Sequence, residues 1–185
     1  LQYKEAKANT VSKAFFINED LKNFISETSL NKANYRKLLK KFPSEKELMA
    51  EFTTFLNDKI KASANMALFI NTYKSVTFKG VKLHLFYPSD SVTQGDKLFN
   101  QNIFTVVQEL PYRFSHNGKQ IFSFRPDLSF FLNGMFLGYN ELKSNYNNQN
   151  AKNNGRKKVA KDYLSAVQEY LEIAGDTDIS QTIRK

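Results

Sequence analysis

Apolar positions in the first third of the chain recur at helical spacing. Glu19 to Ser26 sets Leu21, Phe24 and Ile25 on one face, and 35–42 reads as a short helix with Arg36, Lys37, Lys40 and Lys41. Residues 1–42 therefore read as an appended N-terminal helical arm. Pro43-Ser44 opens a new element. Ser44 followed by Glu47 is a capping box, and Leu48, Phe52, Phe55, Leu56 and Ile60 continue as one apolar stripe. A helix over about 44–62 is expected, packed on a sheet. Glu47 and Glu51 stand one turn apart off that stripe. They form a solvated face or furnish an accessory acid to an active site.

From about residue 67 the pattern turns to strand. Ala67 to Phe78 and Val81 to Tyr87 are rich in Phe, Val, Ile and Tyr, with Lys79-Gly80 as a turn. Pro88 to Lys97 reads as a loop. Asn102 to Leu110 is a strand, His116 to Lys119 a turn, and Ile121 to Phe124 a strand again. Ser144 to Asn154 holds six Asn and should be a loop. A helix follows from about Arg156 to Ile173, stopped by Gly175. Helices, then four to six strands, then a helix give an α+β (α/β/α) layout with an antiparallel or mixed sheet flanked by helices. The domain divisions are the arm at 1–42, the main domain at 43–175 and a linker at 176–185.

Composition narrows the chemistry. The 185 residues suffice for one good core. No stretch approaches the ~18 apolar residues of a membrane span, and no secretory signal pattern opens the chain. Cysteine is absent and histidine is limited to His84 and His116. Disulfides and thiol catalysis are excluded, and zinc sites and a Ser-His-Asp triad are poorly supported. The expected location is the cytoplasm. The net charge of +9 favours polyanionic partners.

The chemistry concentrates in Phe124 to Lys143, FRPDLSFFLNGMFLGYNELK. Asn133-Gly134 between two apolar strands signals a hairpin. Its register decides whether a site exists. A two-residue loop sets Asp127 opposite Asn140 and turns Glu141 to the other face. A three-residue loop, or a bulge near Gly138, sets Asp127 opposite Glu141. One of these devices is expected. Two carboxylates so close repel unless a cation joins them. Asp127 and Glu141, with the Leu142 carbonyl, are hard oxygen donors suited to Mg²⁺, with Mn²⁺ able to substitute. Lys143 shares the face of Glu141 and would orient a water or neutralise an oxyanion. Arg156, Lys157, Lys158 and Lys161 open the next helix, where phosphate is favoured. Spacing alone is a weak signal, since Glu5-Ala6-Lys7 repeats E-x-K with no such context.

The run RPDLSFFLNGMFLGYNELKSN resembles the N-terminal nuclease domain of type I restriction enzyme R subunits. That family's pattern is R-x-D, apolar residues, N-G, a short apolar strand and E-L-K. Asn102 to Leu110 also resembles the family's upstream strand. The likeness is clear over about 95–173, extends in weaker form from 44, and is not evident in 1–42. It implies a PD-(D/E)xK, restriction-endonuclease-like fold and Mg²⁺-dependent cleavage of double-stranded DNA. It implies metal ligands at Asp127 and Glu141, a catalytic Lys143, and a supporting role for Glu47 or Glu51. The family's Q-x-x-x-Y on the following helix is missing, because Val159 stands four residues before Tyr163. DNA contacts would then fall to Arg156, Lys157 and Lys161. The chain lacks G-x-x-x-x-G-K-[ST], so ATP would belong to downstream motor domains. The implied partners are DNA and the methyltransferase and specificity subunits of a restriction complex. Two other readings stay open: a catalytically silent DNA-binding or assembly module, and a nuclease of the same fold in repair or a mobile element.

Overall fold

A computed structural model describes residues 3–63, 66–89, 95–116 and 119–142. The elements run β1 (Lys4–Ala6), α1 (Asn18–Glu27), α2 (Lys32–Leu39), α3 (Glu45–Lys61), α4 (Met66–Thr72), β2 (Ser75–Phe78), β3 (Val81–His84), α5 (Gly95–Phe99), β4 (Phe104–Gln108), β5 (Tyr112–His116), β6 (Lys119–Phe124), β7 (Leu128–Leu132) and β8 (Met135–Asn140). The fold is α+β, with a central mixed sheet and flanking helices. The sheet order is β1-β4-β7-β8. Strands β1 and β4 pair in parallel, Lys4 opposite Thr105. β2–β3 and β5–β6 are separate two-stranded sheets. The chain divides into two compact units, Leu1–Val107 with Ser129–Gly138, and Gln108–Leu128 with the residues from Tyr139 onward.

Residues 1–42, expected as an appended helical arm, instead supply part of the first unit's core. β1 is a strand of the central sheet. Helix α1 buries Leu21, Phe24 and Ile25, and α2 buries Tyr35 and Leu38, in the same cluster as Leu48, Phe52 and Phe78. The carboxylate of Asp20, fully buried on α1, accepts from Lys4 Nζ at 2.7 Å and from Thr105 Oγ1 at 2.6 Å. It therefore ties the helix to the two paired strands. A buried carboxylate is tolerated because a cation and a donor both meet it.

Helix α3 forms as its pattern dictates. Ser44 Oγ accepts from the Glu47 N–H, closing the expected cap. Leu48, Phe52 and Leu56 are fully buried, and the rings of Phe52 and Phe55 each lie 5.2 Å from Phe78 on β2. The strand expected over Ala67 to Phe78 is half wrong. Its first part is the helix α4, on which Met66, Phe69, Ile70 and the following Tyr73 recur at helical spacing and pack on the core. Lys79 and Gly80 both take positive φ, 48° and 76°, and close the β2–β3 hairpin as read. The loop expected at 88–97 gives way to α5 from Gly95.

The Tyr35 hydroxyl is held well above its ordinary value of 10.0, first by burial and then by donating to Glu45 at 2.7 Å. The hydrogen bond to Asp20 raises the Lys4 ammonium above its usual 10.5, outweighing its desolvation. Both folded-state values exceed the unfolded ones. Their contribution to stability is complete below about pH 10 and lost as the pH rises beyond it. Thermal denaturation followed from pH 8 upward should show Tm falling above about pH 10. The fall should be shallower in Tyr35→Phe.

Candidate active site

The turn that ends β7 is fixed before any chemistry. Asn133 and Gly134 take φ of 50° and 78°, so the hairpin loop has two residues, with Leu132 and Met135 ending the strands. The Phe131 and Phe136 rings meet at 5.6 Å, as cross-strand partners do in that register. Of the two devices expected, a three-residue loop or a bulge near Gly138, the three-residue loop does not form. The twist of a two-residue loop of this kind already matches the flanking strands, and Asn and Gly both tolerate its backbone.

Asn133 does more than turn the chain. Its side chain is fully buried. Its Nδ2 donates to the Leu85 carbonyl at 2.8 Å and to Asn102 Oδ1 at 3.0 Å, while its Oδ1 accepts from the Ile103 N–H at 2.7 Å. Asn102 in turn brackets Tyr87, accepting from its N–H and donating to its carbonyl. The Gly134 carbonyl accepts from the Ile17 N–H at 2.9 Å. The loop is thereby bolted to three other segments of its unit. Reading Asn133 as a turn residue left this network out. Polar side chains that satisfy distant backbone carry no sequence period.

In the second unit, Asp127 stands just before β7 and is partly exposed. Its carbonyl accepts from the Glu109 N–H at 3.1 Å. Glu109 follows β4 at a positive φ of 47°, and its carboxylate lies 3.6 Å from the Arg125 guanidinium. Asp127 Oδ2 accepts a short hydrogen bond from the Leu142 N–H. That bond brings Asp127 against the Glu141–Leu142 peptide. Neither side is in a ladder at this point, since β7 starts at Leu128 and β8 stops at Asn140. Strict alternation no longer constrains them, and the contact that Asp127 makes here is with the Leu142 N–H.

Other expected residues fall elsewhere. Glu47 is spent on the α3 cap, its Oε1 accepting from Ser44 Oγ at 3.2 Å. Glu51 pairs with Lys79 at 2.9 Å. Lys143, and Arg156, Lys157, Lys158 and Lys161 with their expected helix, lie outside the described residues, as do the Asn-rich loop and the tail at 176–185. Nothing in the sequence signalled the bond from the Glu109 N–H to the Asp127 carbonyl. Among the described residues no three His, Cys, Asp or Glu side chains converge as a metal cluster. Here the Asp127 carboxylate lies beside the Glu141–Leu142 peptide, so the donor types within reach are carboxylate and backbone oxygen. That set fits an ion that takes one or two carboxylates and keeps several waters, as Mg²⁺ does. No helix among the described residues is long and apolar enough to cross a membrane.

Residues 4–174 match a family model described as type I restriction enzyme R protein N terminus. That span takes in β1, α1 and α2, which extends the likeness through residues where the sequence alone gave no sign of it. No curated protein and no solved structure matches the chain.

Proposed function

This chain belongs to the type I restriction enzyme R protein N-terminal family, and we propose that it hydrolyses phosphodiester bonds of double-stranded DNA at the hairpin carrying Asp127. The observation that carries this reading is the hydrogen bond from the Leu142 N–H to the Asp127 carboxylate. It brings Asp127 to the segment that carries Glu141, 14 residues further along the sequence. Asp127, Glu141 and the Leu142 carbonyl would hold Mg²⁺, or Mn²⁺ in its place. Such an ion lowers the pKa of a bound water and stabilises charge on the phosphate. The Leu142 N–H fixes the Asp127 rotamer, leaving its other oxygen for a ligand. Lys143, two residues after Glu141, supplies an ammonium to orient water or offset charge on the oxyanion. Arg156, Lys157, Lys158 and Lys161 furnish phosphate contacts. The setting is a restriction complex with methyltransferase and specificity subunits, in which ATP serves the motor.

Calorimetric titration of Mn²⁺ into the chain, with duplex DNA present, tests the site. Asp127→Ala and Glu141→Ala should each abolish the binding seen in the parent. Equal binding by all three proteins up to several millimolar metal would remove the metal from this hairpin. The reading as a DNA-binding module without catalysis would then take its place.

A further inference from the structure

The positive charge of this chain is not spread evenly. Residues 28–44 and 74–89 together hold eight Lys and Arg and no Asp or Glu. The remainder carries nineteen cations against eighteen carboxylates, so it is close to neutral. These two segments are α2 with its flanks and the β2–β3 hairpin, and they pack on each other in the first unit.

The packing is specific. Strand β3 has one edge paired with β2, and α2 covers the other with side chains. Asn31 brackets His84, donating to its carbonyl at 2.9 Å and accepting from its N–H at 2.8 Å. Asn34 Nδ2 donates to the Lys82 carbonyl at 3.0 Å, and Lys41 Nζ to the Lys79 carbonyl at 2.8 Å. Four hydrogen bonds thus hold the cationic helix beside a cationic hairpin. Tyr35 and Leu38 turn inward, which leaves Arg36, Lys37 and Lys40 exposed on the outer face. Arg36 and Lys40 stand one turn apart, about 6 Å along the axis. Lys82 is exposed on the hairpin. Glu51 offsets Lys79, and Glu27 offsets Lys32. Glu27, paired with Lys32, also lies within reach of Arg36, whereas Lys37, Lys40 and Lys82 pair with no carboxylate among the described residues.

We infer that α2 and the β2–β3 hairpin form a docking surface for the phosphate backbone of double-stranded DNA, without base readout. The inference rests on the proposed function only for the choice of DNA among polyanions. It adds a contact surface in a different unit from Asp127. Cations on a rigid, paired scaffold neutralise phosphates and release counterions, so the binding must weaken with salt. Nothing in the patch is built to read base edges, and its exposed groups are point charges and one guanidinium.

The test is fluorescence anisotropy of a labelled duplex with the full 185-residue chain in EDTA, across a salt series. The variant changes Arg36, Lys37, Lys40 and Lys82 to Gln. A control changes Lys7, Lys13, Lys61 and Lys97 to Gln, removing equal charge elsewhere. The patch variant should lose at least about tenfold in affinity at low salt, and the slope of log K against log salt should flatten by about 3. The control should keep most of its affinity and slope. Equal losses in both variants would mean that only net charge matters, and would overturn the inference. Unchanged DNA binding by the patch variant would also overturn it, and loss of binding to an acidic protein subunit would then assign the surface to that partner. Cleavage plays no part in this readout, so failure of the Asp127 site leaves the result intact.

Discussion

Gly134→Ala is expected to cost about 3–5 kcal/mol of stability, enough to unfold a large fraction of a marginal domain. Backbone strain and steric overlap act together. At φ +78° an L side chain is strained by about 1 kcal/mol. The overlap costs more. A Cβ at this position would lie 2.4 Å from the Ile17 carbonyl oxygen, 2.6 Å from the Leu21 nitrogen and 2.9 Å from Leu21 Cβ. Two of those neighbours are main chain at the start of α1, so no rotamer change relieves them. Retreat would break the bond from the Ile17 N–H to the Gly134 carbonyl and disturb the buried Phe16, Ile17 and Leu21. Two other glycines separate strain from overlap. Gly80 has φ +76° and open space around its Cβ position, so Gly80→Ala should cost only about 1 kcal/mol. Gly138 has open space and no positive φ, so Gly138→Ala should stay within about 0.5 kcal/mol. Urea unfolding of the three variants checks the order. A Gly134→Ala protein as stable as the Gly80 variant would mean that α1 yields without cost at this contact.

Asp127→Asn should leave stability nearly unchanged and lower DNA cleavage by on the order of 10²–10³, the loss typical when one preorganised electrostatic group is removed. The amide oxygen of Asn can still accept from the Leu142 N–H, so the local fold survives. What disappears is the negative charge that, in the proposed reading, would hold a cation beside Glu141. The measurement is linearisation of a plasmid by the restriction complex assembled with each variant, with ATP turnover as the internal standard. ATP turnover should persist while cleavage fails, because the substitution leaves the motor alone. Glu5→Gln, which removes the acid of the other E-x-K in the chain, should cleave as the parent does. Cleavage by Asp127→Asn at the parental rate would sink the assignment of this hairpin.

How much of this was legible beforehand differs by element. Helix α3 was readable nearly to the residue, because its cap and its apolar stripe are local and agree. The places of the Lys79-Gly80 and Asn133-Gly134 turns were readable because Gly, and Asn before it, announce a positive φ, but the loop length at the second turn was not. Helix α4 was misread because a seven-residue element rich in Phe, Leu and Ile fits a strand composition as well as a helix. The first 42 residues looked appended because β1 is only three residues long and has no period of its own. It becomes a strand by pairing with β4, about a hundred residues away.

By itself, then, the sequence determined the class of fold and the place of the Asn133-Gly134 turn, and it nominated the acids and amine of the proposed chemistry. Local preferences and side-chain chemistry need no neighbours to be expressed. Tertiary structure decided where Asp127 sits. It set Asp127 against the Glu141–Leu142 peptide outside the ladder, committed the Asn133 side chain to buried hydrogen bonds, and made Gly134 obligatory through a contact with α1. It also gathered two separate cationic segments into one surface. Each of these depends on contacts between residues distant in the chain, and a single sequence carries no period or motif that encodes such contacts.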